Sequence, residues 1–174
     1  MSGLDLVFLG LLILLLLPVA VIDLRERRIP NLWNLLIALA GLAHALAVEF
    51  TWRRLGLAFG HAGLTLVLLL AMSWVIGRVN PRAVVGYGDI KFLVAASFWL
   101  GFTGALLVLL AASLLTLLLA LLGALAGRGA GWREQRPFGP ALALALLLLT
   151  ALAFSPWSQR LGPPGGQQTE LAAD

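Results

Sequence analysis

The feature that most constrains this chain is the length of its apolar runs. From Leu11 to Ala20 there is no polar side chain at all, and comparable stretches recur up to Phe154. Of the 174 residues, 61% are hydrophobic and 11% charged. So little polar sequence cannot cover a buried core with a soluble surface, so the bilayer must be the solvent. The expected fold is all-α, because the apolar runs come close to the roughly 20 residues a bilayer-crossing helix needs.

Composition also removes several chemistries. There is no Cys, which excludes disulfides, thiolate metal sites and cysteine nucleophiles. No His-Glu-x-x-His motif is present, and none of Ser73, Ser97 or Ser113 lies in Gly-x-Ser-Gly. No metal and no cofactor is expected. The formal charge of +4 is read as a topology signal, with no nucleic-acid partner. The first apolar run lacks a basic leader and a small-residue cleavage site, and is expected to remain as a span.

Hydropathy places spans near Leu4 to Ile22, Leu32 to Phe50, Leu55 to Gly77 and Pro137 to Phe154. The stretch from Ile90 to Gly127 would reach about 55 Å as one helix, nearly twice a hydrocarbon core of roughly 30 Å. It must break, and Gly101-Phe102-Thr103-Gly104 is where helix propensity is weakest. With that break there are six transmembrane helices. Arg25, Arg27, Arg28, Arg78, Arg82, Lys91, Arg128, Arg133 and Arg136 then share one side, against Arg53, Arg54 and Arg160 on the other. Five spans would split the same twelve cations seven to five, so the positive-inside rule favours six. Both termini then lie outside, and the loops after spans one, three and five face the cytoplasm. Residues 1–161 form the membrane domain, and the Pro-, Gly- and Gln-rich segment 162–174 reads as a disordered tail.

Small residues four apart, Gly41 with Ala45, Gly56 with Gly60 and Gly123 with Gly127, read as helix-packing positions. His44 and His61 lie on apolar helices and read as packed or hydrogen-bonded. Most Trp and Phe, including Trp33 and Trp99 near span ends, read as interfacial belt and packing residues.

Of eight acidic residues, two have specific surroundings. Asp23 closes the first span in Ile22-Asp23-Leu24-Arg25-Glu26-Arg27-Arg28-Ile29-Pro30-Asn31. Asp89 opens the fourth in Gly86-Tyr87-Gly88-Asp89-Ile90-Lys91. Two crossings separate them, so both fall on the cytoplasmic side. Taken singly, Asp23 reads as a boundary charge paired with Arg27, and Asp89 as a helix N-cap. Asp89 to Gly101 is only about 18 Å of helix, which would sink Asp89 roughly 10 Å below the cytoplasmic edge, a position that calls for a polar cavity. Two carboxylates sharing such a cavity suit peptide hydrolysis, one ionised and activating water, the other protonated and donating its proton. Gly86 and Gly88 would admit an extended substrate strand close to the backbone.

Asp-x-x-x-x-Arg-Ile-Pro-Asn over Asp23 to Asn31, with Gly-x-Gly-Asp-x-Lys over Gly86 to Lys91, resembles the type IV prepilin peptidases. Pro137-Phe138-Gly139-Pro140 looks like the same family. The resemblance implies six transmembrane helices and a cytoplasm-facing aspartic site in the inner membrane, related in logic to presenilin-type peptidases. It implies Asp23 and Asp89 as the catalytic pair, supported by Gly86, Gly88, Lys91, Arg28, Pro30 and Asn31. The implied activity is removal of the leader from prepilin or pseudopilin precursors, the implied partners of the chain besides membrane lipid. Larger members carry a Cys-x-x-Cys insertion and also N-methylate the product. This chain has neither Cys nor insertion and looks like the short, peptidase-only form associated with tight-adherence (Flp-type) pili, with no methyltransferase activity and no S-adenosylmethionine site. The rival readings are a small transporter using the two acids as a proton relay and a non-catalytic pilus-assembly scaffold.

Overall fold

The computed structural model describes residues 2–80, 86–126 and 138–155. Among these residues there are five helical elements and no strand: α1 (Gly3–Glu26), α2 (Asn31–Val48), α3 (Trp52–Val79), α4 (Tyr87–Leu125) and α5 (Gly139–Phe154). The first four are long and apolar enough to cross a membrane, and α5 is a shorter apolar helix of 16 residues. The loop around Arg133 and the 162–174 tail lie outside the described residues.

Two of the helices begin on side-chain caps. Ser2 and Asp5 form a reciprocal capping box at the start of α1, with Ser2 Oγ accepting from the Asp5 N–H at 3.1 Å. Thr51 accepts from the Arg54 N–H at 3.2 Å to open α3. Pro30 holds φ at −66° before α2, and Pro140 occupies the first turn of α5, where its missing N–H costs nothing. Helix α1 runs through Pro18 without ending, as spanning helices tolerate. It stops at Arg27, whose left-handed backbone (φ 52°) lets its N–H reach the Asp23 carbonyl at 2.9 Å.

The expected break falls at Gly101. Its φ of 70° and ψ of −176° lie outside helical space, in a region that essentially only glycine enters, so α4 is two helices joined at that residue. There is also no room for a side chain: a Cβ on Gly101 would sit 3.2 Å from His61 Nδ1, and one on Gly104 would collide with Leu100.

The first half of α4 is the centre of the molecule. Ile90, Phe92, Leu93, Ala95, Ala96 and Trp99 are buried there, joined by Ala105, Val108 and Ala112 beyond the break. Helices α2, α3 and α5 all pack on α4, while α2 and α3 scarcely touch one another. Ring and hydrogen-bond partners set the directions. Asn31 meets Lys91 and Ile37 meets Trp99, so α2 runs parallel to the first half of α4. Phe59 meets Phe98 and His61 meets Gly101, while Gly77 and Arg78 line one pocket with Tyr87, so α3 runs antiparallel to it. Helix α5 is antiparallel to α1, with Gly139 at Asp23 and Leu147 beside Ile13.

Trp99 departs from the belt reading. It is 8% exposed, donates from Nε1 to the Ile37 carbonyl at 2.9 Å and lies over Gly41, where a Cβ would come within 2.6 Å of its ring. The Gly41 position is therefore a real close approach, but the receiving group is an indole and not a helix backbone. Gly56 and Gly60 face open space and make no such contact, while Gly127 lies outside the described residues. His44 is packed and hydrogen-bonded: its Nε2 is 3.2 Å from Asp5 Oδ1, and its ring stacks on Trp99 with Phe8 and Phe154 at its sides.

Candidate active site

The end of α1, the beginning of α2, the end of α3, and the beginnings of α4 and α5 gather at one end of the bundle. Asp23, one turn from the α1 terminus, is buried. Its Oδ2 accepts a 2.8 Å hydrogen bond from the Gly139 N–H. That donor is the first residue of α5, one of the N–H groups a helix leaves without an internal partner, and the positive end of a helix dipole favours an anion there. The fit is close, since a Cβ on Gly139 would lie 2.7 Å from Asp23 Cγ. Only glycine allows this approach. The pairing of Asp23 with Arg27 that spacing alone suggests does not form: the described ion pairs are Arg28 with Glu26, Arg54 with Glu49, and His44 with Asp5. Burial against α5 takes the carboxylate away from the cations, whereas Arg27 has turned out of the helix.

Asp89 is in the first turn of α4, but it is not the N-cap. Gly86 holds that position, and Asp89 sits three residues on, half-buried, its Oδ2 folded back to within 3.2 Å of where a Gly86 Cβ would lie. Among the described residues the carboxylate makes no capping bond, and it stands at the same end of the bundle as Asp23. Gly88 packs against Ile29, where a Cβ would be 3.5 Å from the Ile29 Cβ, and so locks the start of α4 to the connection between α1 and α2.

The remaining residues singled out by sequence divide into two groups. Lys91 Nζ donates to Asn31 Oδ1 at 2.8 Å and ties α4 to α2, with Pro30 setting the entry of that helix. Arg28 is directed elsewhere, exposed and paired with Glu26 at 2.7 Å. Gly139 is the residue whose part could not be derived from spacing. The Phe138-Gly139-Pro140 run signalled it only as a motif, since nothing local to residue 139 discloses that a carboxylate 116 positions away is its partner. Among the described residues no group of three or more His, Asp or Glu side chains could hold a metal ion.

These features define a class: an all-helical, polytopic membrane protein with two acidic side chains at the same end of its bundle. A model of the type IV leader peptidase family matches residues 10–121, and the chain belongs to that family. Over 134 residues it is 32% identical to a prepilin leader peptidase/N-methyltransferase of Burkholderia pseudomallei, covering 74% of this chain and 40% of the relative. It is 31% identical to the proteins of the same name from Xanthomonas campestris pv. campestris and Aeromonas hydrophila, covering 71% and 78% of this chain and 42% and 46% of theirs. The chain thus spans less than half the length of these curated relatives. No solved structure matches it.

Proposed function

We propose that this protein is a membrane-embedded aspartic endopeptidase that removes the leader from type IV prepilin-like or pseudopilin precursors at the cytoplasmic face of the inner membrane. What supports the reading is the position of Asp23 and Asp89 at the same end of the bundle, in a member of the leader peptidase family. The two acids have 65 residues of chain between them and reach the same end of the bundle on different helices.

The chemistry follows from two carboxylates that share one proton. The ionised carboxylate takes a proton from water as its oxygen attacks the scissile carbonyl carbon; the protonated one hydrogen-bonds the carbonyl oxygen. On collapse the C–N bond breaks and the leaving nitrogen takes a proton from the acid. The Gly139 N–H fixes one oxygen of Asp23, so its rotamer is held before substrate arrives, which is the part of catalysis a rigid site supplies.

Six crossings are the arrangement that best suits this geometry. Gly101 lies beside His61, about 18 Å of helix beyond Asp89, and α5 begins at Asp23. Residues 102–125 are about 36 Å of helix, enough to return across the bilayer between those two points. With the cation count, this supports a cytoplasmic position for both acids and the starts of α4 and α5.

The test is co-expression of the chain with a precursor bearing a basic leader, in cells lacking other leader peptidases. Asp23→Asn and Asp89→Asn are the decisive variants. Asparagine keeps an acceptor for the Gly139 N–H, so the fold should persist while leader removal falls at least 1000-fold. Normal processing by both variants would refute the aspartic mechanism.

A further inference from the structure

The Gly101 break makes residues 87–100 of α4 a separate rod, which carries Asp89 near one end and Trp99 near the other. In a bilayer no hydrophobic force sets how such a rod slides or turns against its neighbours, so directed contacts must do it. Two hydrogen bonds tie it to α2. The one from Lys91 to Asn31 is exposed and runs through a flexible four-carbon stem. The one from Trp99 to the Ile37 carbonyl is buried, and an indole has only two side-chain torsions to yield. The indole is also wedged in place. A Cβ on Gly41 would come within 2.6 Å of it, and its ring stacks on His44 at a centroid distance of 6.0 Å. His44 is in turn bonded to Asp5 and in ring contact with Phe8 of α1 and Phe154 of α5. The seat of Trp99 is thus built from α1, α2 and α5, and at their other ends α1 and α5 hold Asp23 and Gly139. Burial alone needs none of this, since a leucine would fill apolar space without calling for an acceptor or for a glycine opposite.

We propose that Trp99 is a positioning residue: its seat fixes the slide and rotation of the rod, and so where the Asp89 carboxylate stands relative to Asp23. This rests on the peptidase reading and adds what aligns its second acid. Trp99 is about 15 Å of helix from Asp89, but a rigid helix passes slide and rotation along its length undiminished. Side chains reach about 5–6 Å from the helix axis, so a turn of about 10° carries the carboxylate about 1 Å. A misplacement of that size costs up to about 100-fold in rate. Residues beyond Gly101 lack this hold, because the break interrupts the helix between them and Asp89.

The experiment uses the full chain in detergent or nanodiscs with a purified precursor, assayed well below every variant's melting temperature. Trp99→Phe keeps a ring and loses the N–H; benzothienylalanine in place of Trp99 keeps the bicyclic shape and loses only that donor. Both should lower kcat about tenfold with KM within about twofold, the pattern of an interaction that counts in the transition state alone. Gly41→Ala, which presses on the indole from α2, should do the same. Combined with Trp99→Phe it should lose less than the product of the two single losses, because both act on one seat. Val108→Ala, a buried truncation beyond the break, is the structural control: it should lower the melting temperature and leave kcat within about twofold. A kcat within about twofold of the parent in both Trp99 variants, or a loss no larger than that of Val108→Ala, would overturn the proposal while leaving the peptidase standing. Undiminished cleavage by Asp23→Asn and Asp89→Asn would instead remove the peptidase reading itself.

Discussion

Replacing Gly139 with alanine tests the site through its least obvious member. The added Cβ would stand 2.7 Å from both Asp23 Cγ and Oδ2, and 2.8 Å from its Cβ. Ordinary contact begins at 3.4 Å, so α5 and Asp23 must separate by about 0.7 Å. No flexible tip can yield, because the clash is with the root of a short, buried side chain. The 2.8 Å bond from the Gly139 N–H lengthens or breaks, and a hydrogen bond to a charged group is worth about 1.5–3 kcal/mol. A misplacement near 1 Å costs a catalytic constellation about 100-fold. We therefore expect Gly139→Ala to lower kcat/KM for leader cleavage 30- to 100-fold, which is about 2–2.7 kcal/mol of transition-state stabilisation. Quantified precursor cleavage by the purified variant, with its melting temperature measured alongside, provides the readout. Activity within threefold of the parent would show that the approach of α5 to Asp23 is not what positions the carboxylate.

Gly101→Ala should lower the melting temperature by on the order of 5 °C, since alanine at φ 70° and ψ −176° costs about 1–3 kcal/mol and its Cβ would press on His61. Because the chain has no native Cys, a cysteine at position 89 can be labelled alone; it should react with a water-soluble maleimide more slowly than one at Tyr87, which is 72% exposed. Equal rates would place Asp89 at the open surface. Labelled S-adenosylmethionine supplied with cleaved pilin should transfer no methyl group to it, and methylation would refute the peptidase-only reading of this chain.

Helix existence and the membrane setting were legible in the chain because both follow from local quantities: run length, hydropathy and the absence of polar cover. The break at Gly101 was legible for the same reason, since a 39-residue apolar helix exceeds the bilayer and glycine is where the backbone yields most cheaply. Asp23 and Asp89 stood out because acids are rare in such a sequence, and crossing parity was enough to place them on one side. Local rules misassigned what each acid touches. The i,i+4 rule paired Asp23 with Arg27 and capping rules put Asp89 at the N-cap; the structure gives Asp23 to α5 and the cap to Gly86.

Sequence by itself determined that this chain folds as apolar helices, where the fourth must bend, and which two carboxylates are candidates for chemistry. Only tertiary structure decided that Gly139 is the partner of Asp23, that Trp99 leaves the interface to lie on Gly41, and that Asn34 is buried. The physical reason is range. Hydropathy and backbone propensity act over one or two helical turns, whereas a hydrogen bond across 116 residues, or its absence, depends on how whole helices are set against one another.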